Sequence, residues 1–218
     1  MDKYEFQTIS KDLQDLRNKI PLNWGAIQNN REDDKIKMFS ISSYEELEEK
    51  LSTLSEYSKS YLRRRWYLWK CSQCDEYLFY VNSNVMQNPD RYDKEWDVKI
   101  NEKYYFDIKG TVVPKNMRSD VLDLMENPER MIDFYYDEQS KERRYDIQNR
   151  LFIVHHSFVS HEREMYLRSA WMSKRSIYKE FCDNIDRIRF YKTHNVTAGV
   201  IFVLEKEKGK VEYKICGL

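Results

Sequence analysis

"WDVKINEKYYFDIKGTVV", residues 96–113, alternates apolar and polar side chains, turns at Asn101-Glu102-Lys103, and alternates again. With a three-residue loop, Ile100 pairs with Tyr104, Val98 with Phe106 and Asp97 with Asp107. Paired residues share a sheet face. Trp96, Val98, Ile100, Tyr104, Phe106 and Ile108 therefore fall on one side, all apolar or aromatic, and Asp97, Lys99, Tyr105, Asp107 and Lys109 on the other. A one-residue slip would mix the two sets.

The register opposes two aspartates. Directly paired side chains have Cβ atoms about 4.5–5.5 Å apart, where like charges destabilise unless something compensates. A hard dication compensates well, because Mg²⁺ takes oxygen ligands and leaves positions for water and phosphate. Lys109, two residues beyond Asp107 on the same face, supplies an ammonium able to stabilise charge developing on a phosphate. The bland alternative is a solvated polar face on which Lys99 and Lys109 neutralise the acids.

Working outward, Ser43 and Glu46 have capping-box spacing, so a helix starts there, and its stripe passes through Leu47, Leu51 and Leu54. The pattern resumes from Tyr61 through Trp66 and Trp69 toward Phe79, giving two helices or one long bent one. Residues 9–20 predict a further helix that Pro21 stops, and 35–41 a short edge strand. Residues 83–93 read as loop. Residues 117–149 are helical with an interruption at Glu126-Asn127-Pro128, and "RLFIV", 150–154, reads as a strand covered on both faces. Residues 163–185 predict one amphipathic helix and 197–217 two strands around a Lys-Glu-Lys-Gly turn. The order predicts an α/β fold with a mixed central sheet flanked by helices, a helical N-terminal extension and a C-terminal hairpin. The expected organisation is an accessory segment at 1–42 and one compact unit at 43–218.

The hairpin resembles the motif of the PD-(D/E)XK, or restriction-endonuclease-like, nuclease superfamily. That motif is an acid on one strand, then Asp or Glu, any residue and Lys on the next, matched by Asp97 and by "FDIKGT", 106–111. The similarity covers roughly residues 61–155. It implies a core of helix, three-stranded meander, helix and fourth strand. It also implies Mg²⁺ held by Asp97, Asp107 and the Ile108 carbonyl, with Lys109 acting on water or phosphate. A glutamate from the preceding helix would join them, Glu76 by proximity, with Glu56 as an alternative. Trp96 stands where the motif's name has proline.

The function implied is a Mg²⁺-dependent DNA endonuclease, most similar to type II restriction enzymes, acting on double-stranded DNA as a homodimer. The runner-up is a non-catalytic nucleic-acid-binding or interaction domain on the same fold. A nuclease acting on RNA or branched DNA differs only in substrate.

"YLRRRWYLWK", 61–70, interleaves Arg63, Arg64 and Arg65 with aromatic residues and offers phosphate contacts. Lys174 and Arg175 belong to a second basic surface on a predicted helix. The chain as a whole is neutral, with 37 Lys and Arg against 37 Asp and Glu, so charge advertises no polyanionic partner. His155, His156, His161 and His194 are assigned to structure or phosphate contact ahead of catalysis. Cys71-Ser-Gln-Cys74 is half of a zinc pattern, but no second pair appears, and two buried thiols one helical turn apart is the better reading. Four cysteines and no apolar leader or 18-residue apolar run predict a cytoplasmic protein without a membrane span.

Overall fold

The computed structural model describes residues 1–19, 29–90, 93, 95–137, 149–193 and 196–218. Its helices are α1 (Lys3–Lys19), α2 (Asn30–Asp34), α3 (Tyr44–Leu51), α4 (Glu56–Tyr80), α5 (Val121–Glu126), α6 (Glu129–Asp137), α7 (Glu164–Arg168) and α8 (Trp171–Asp183). Its strands are β1 (Val85–Gln87), β2 (Val98–Ile100), β3 (Tyr104–Val112), β4 (Arg150–Ser157), β5 (Tyr191–Thr193), β6 (Val196–Glu207) and β7 (Lys210–Ile215). They form one seven-stranded mixed sheet in the order β1-β2-β3-β4-β6-β5, with β7 also paired to β6. The β3–β4 and β4–β6 pairs are parallel and the others antiparallel.

The hairpin adopts the expected register over its ladder, with Val98 opposite Phe106 and Ile100 opposite Tyr104; the expected Asp97–Asp107 pair lies just beyond the ladder, where the Asp97 N–H donates to Phe106 O and the Asp107 N–H to Asn149 O. Its loop places Asn101 and Glu102 at positive φ, 50° and 55°, a conformation asparagine tolerates better than glutamate. Val98, Ile100, Phe106 and Ile108 are buried in one core, with Leu13 and Leu16 of α1, Leu62, Trp66 and Leu78 of α4, and Phe181 of α8. Phe152, Val154, Val200 and Phe202 face the opposite core, beneath Leu124 of α5 and Ile132 and Tyr135 of α6. Helices thus cover both faces of the sheet, and β4 is buried along its full length, as its apolar run requires. Phe6, Leu13, Leu16, Met38 and Ile41 belong to the same core as the hairpin, so α1 and the segment around Met38–Ser40 pack onto the central unit.

Several local expectations are corrected. Residues 35–41 form a turn and a short 3₁₀ segment, Met38–Ser40, because Lys37 takes φ 50° and cannot extend a strand. The 83–93 loop contains β1, which pairs with β2. Trp96 leaves the apolar face, because the chain bends at Asp97, and packs against Tyr105 with ring centroids 5.5 Å apart. The helix expected over 163–185 breaks after Arg168, where Ser169 and Ala170 separate α7 from α8. Ser43 caps α3 as expected, accepting from the Glu46 N–H at 3.2 Å, but the Glu46 carboxylate turns back to Ser42. Among the described residues no helix is long and apolar enough to cross a membrane.

Candidate active site

Asp97 stands one residue before β2. Its backbone N–H donates to Phe106 O at 2.8 Å, and its Oδ2 accepts from the Ile108 N–H at 2.7 Å. The acid of one strand is therefore tied to the strand carrying the other acid. Burial first and the charge of Asp107 second raise Asp97 to about 6, against the opposing effects of Lys109 and the Ile108 amide. Glu76, near the C-terminal end of α4, is raised to about 8 by burial first and by the charge of Asp97 second. Tyr80 donates to Glu76 Oε2 at 3.3 Å and opposes that rise. Glu76, Asp97, Asp107 and Lys109 thus share one electrostatic neighbourhood, to which Ile108 contributes its backbone.

Asp107 is buried, 5% exposed. Lys109 Nζ lies 2.5 Å from its Oδ1. Arg150 Nε lies 3.4 Å from its Oδ2 without hydrogen-bond geometry, so Oδ2 has no hydrogen-bond donor among the described residues. Arg150 also lies 5.0 Å from the Tyr136 ring centroid, which places α6 over this end of the sheet. The sequence reading missed Arg150. It opens β4 beside Asp107 only through the parallel β3–β4 register, which no local pattern encodes.

Gly110 follows the motif for a packing reason. A Cβ there would sit 2.0 Å from an Arg168 guanidinium nitrogen. Arg168 donates to Asp75 Oδ2 at 2.6 Å, while Lys174 and Tyr178 reach Asp75 Oδ1 at 2.8 Å each. This network is buried on the core side of α4, next in sequence to Glu76.

That arrangement corrects the assignment of Lys174 to a nucleic-acid surface. Its side chain is wholly enclosed, because the break at Ser169 rotates α8 so that Lys174 faces Asp75. Burial lowers it to about 8 despite the attraction of Asp75. Arg175, the next residue, is exposed. Arg63 is engaged by Glu48 at 2.8 and 2.6 Å, and Arg65 by Asp33 at 3.2 Å. Arg64 lies 5.7 Å from the Tyr61 ring. The arginine run is half-buried and largely used within the fold.

Among the described residues no histidine bonds to Asp97 or Asp107. His155 is buried with Nδ1 3.0 Å from Thr111 O, and burial drives its pKa well below the ordinary value. His156 and His161 approach the buried Glu164 at 3.4 and 2.6 Å, and Arg118 donates to both oxygens of that carboxylate. His194 lies outside the described residues. Cys71 and Cys74 are buried free thiols, with Cys71 pushed up to about 12 by burial.

The donor set suits a hard dication in kind: carboxylate oxygens only, one of them buried without a donor, held close enough that Asp107 disfavours the charge on Asp97. Among the described residues no three His, Cys, Asp or Glu side chains converge as a complete ligand group, so further positions would fall to backbone oxygen, water and substrate. No family model, curated protein or solved structure matches the chain.

Proposed function

We propose that the protein is a Mg²⁺-dependent endodeoxyribonuclease of the PD-(D/E)XK type. One observation carries the reading: Asp97 and Asp107 are held together at the open end of a hairpin, with Asp97 raised to about 6 and the amine of Lys109 on Asp107. The order of a helix, a three-stranded meander, two helices and a strand parallel to the third agrees with the core that the motif implies.

Asp97 and Asp107 would hold the ion, with the Ile108 carbonyl as a further oxygen. Bound there, Mg²⁺ supplies charge neutralisation at the phosphate and a more acidic attacking water. Lys109, whose side chain is 45% exposed, can leave Asp107 and donate a hydrogen bond from Nζ to a phosphate oxygen, stabilising the charge that grows as the water oxygen bonds to phosphorus. Glu76 is the remaining carboxylate near Asp97 and is placed to take the water's proton, while the departing ester oxygen gains one from solvent. Cutting both strands of a duplex symmetrically would take two copies of the chain, so a homodimer belongs to this proposal.

The non-catalytic alternative draws on a specific observation as well. Lys109 and Arg150 together already neutralise Asp107. Incubating plasmid DNA with the protein in Mg²⁺ and in EDTA, beside Lys109→Ala, separates the two. The enzyme reading expects metal-dependent cutting that the variant lacks. Nucleic-acid binding without cutting in Mg²⁺, Mn²⁺ or Ca²⁺ would establish the module instead.

A further inference from the structure

A cleft of about 260 Å³ lies beside Asp97, between α4 and a wall to which Gln87, Asn88, Asp90, Asp93 and Trp96 contribute. Trp69, Gln73 and Glu76 line one wall, spaced so that one helix face presents all three. Gln87, Trp96 and Asp97 line the other. None of these roles is used by the hydrolytic chemistry except at the floor, where Glu76 and Asp97 sit.

Three properties narrow the occupant. The first is a pair of flat apolar surfaces. Trp69 and Trp96 are each partly buried and each held in a T-shaped contact, Trp69 with Phe39 at 5.4 Å and Trp96 with Tyr105 at 5.5 Å, and Lys70 Nζ lies 4.3 Å from the Trp69 ring centroid, which leaves one face of that ring for stacking. The second is free amide chemistry. Among the described residues neither Gln73 nor Gln87 has its side-chain amide engaged, whereas the Asn88 amide nearby is used on Asp93 and Trp96 O. Each glutamine offers donors and an acceptor together. The third is the carboxylate lining, which repels a phosphate from the interior and confines it to the side of Asp107 and Lys109.

We propose that the cleft takes an unpaired nucleobase of the strand being cut, stacked on Trp69 or Trp96 and contacted at its edge by Gln73 and Gln87. The base is either single-stranded at the outset or extruded from a duplex. This rests on the nuclease reading, which puts the scissile phosphodiester at the cleft's mouth. A cationic ligand would satisfy the rings and the carboxylates but would leave the amide NH₂ groups of both glutamines without acceptors. A base edge satisfies both halves of each amide.

The test uses the full chain carrying Lys109→Ala, in Ca²⁺, with 2-aminopurine as the reporting base. It is placed in a single strand, in the perfect duplex, and in a duplex opposite an abasic site. Stacking quenches 2-aminopurine, so quenching is expected with the first and third probes, and weaker binding with the perfect duplex. Trp69→Ala and Trp96→Ala should each weaken the quenched complexes roughly tenfold, and Trp69→Phe should restore most of that loss. Gln73→Ala and Gln87→Ala should alter preference among the four bases with an unchanged melting temperature.

Equal affinity for all three probes without quenching would overturn the proposal. So would quenching of tryptophan fluorescence by spermidine, lost in Trp69→Ala, with no such response to the base. Quenching that depends on both tryptophans, in a wild-type chain that cuts nothing, would retain the cleft and remove the nuclease. Normal cutting by Trp69→Ala and Trp96→Ala would do the reverse.

Discussion

The backbone N–H of Ile108 donates to Asp97 Oδ2 at 2.7 Å, so one acid of the pair is fastened to the residue that follows the other. Asp97→Asn keeps an oxygen acceptor for that amide, while Asp97→Ala leaves a part-buried N–H without one. Chemical denaturation should show the alanine variant less stable than the asparagine variant by about 1–3 kcal/mol. Both should lose divalent-ion-dependent cleavage. Equal stabilities would mean that the hydrogen bond does not hold the register.

Lys109 is itself 45% exposed, but it donates to the buried Asp107, beside which Arg150 remains at 3.4 Å. Lys109→Ala should therefore cost about 1–3 kcal/mol of stability and cut at least ~100-fold more slowly. Lys109→Arg retains the charge but not the compact ammonium, and should recover only part of the rate in a single-turnover assay.

Gly110 and Arg168 occupy one space. Gly110→Ala would force the guanidinium off Asp75, since the new Cβ would lie 2.0 Å from it. The expected cost is on the order of 1–3 kcal/mol. Arg168→Leu alone should cost about 3–5 kcal/mol, by leaving the buried Asp75 short of a partner. In the double variant the cost of Gly110→Ala should largely vanish, so a double-mutant cycle by urea denaturation reads the contact directly. Additive costs would show that Arg168 is not what excludes a side chain at 110.

Stability should fall as pH rises through the site. Asp97 and Glu76 have folded-state pKa values raised to about 6 and about 8, so each binds its proton more tightly folded than unfolded. Their contribution is fully present below about pH 4 and is lost as pH rises toward about 8. Glu76→Gln removes the penalty, and should stabilise the chain at pH 8 by on the order of 1–3 kcal/mol with little effect at pH 4. Thermal melts across that range measure the difference.

A dication that binds the pair must displace those protons. Mg²⁺ or Mn²⁺ should therefore raise the melting temperature more at pH 8 than at pH 5, by up to about 2.7 kcal/mol of stabilisation at a hundredfold excess over Kd. Asp107→Asn should abolish the shift. A shift that persists in that variant would place the ion elsewhere.

The residues themselves determined what period and spacing can encode. The two-residue alternation of 96–113 specified the Val98–Phe106 and Ile100–Tyr104 pairs, because a slip would have driven Lys99 and Tyr105 into the core occupied by Val98 and Phe106. The unbroken apolar run at 151–154 specified a strand covered on both faces, and nearness in sequence to the hairpin singled out Glu76, which lies in the electrostatic reach of Asp97. Tertiary structure alone decided what surrounds those residues. Arg150 reaches Asp107 through a parallel pairing between strands far apart in sequence, and Arg168 reaches Gly110 from a third element. Lys174 reads as surface charge in any window, yet Asp75, 99 positions away, draws it into the core. Local sequence carries the preference of a segment for its own geometry. Which charge lies against which depends on how segments pack, and that is settled only when the whole chain closes around one sheet.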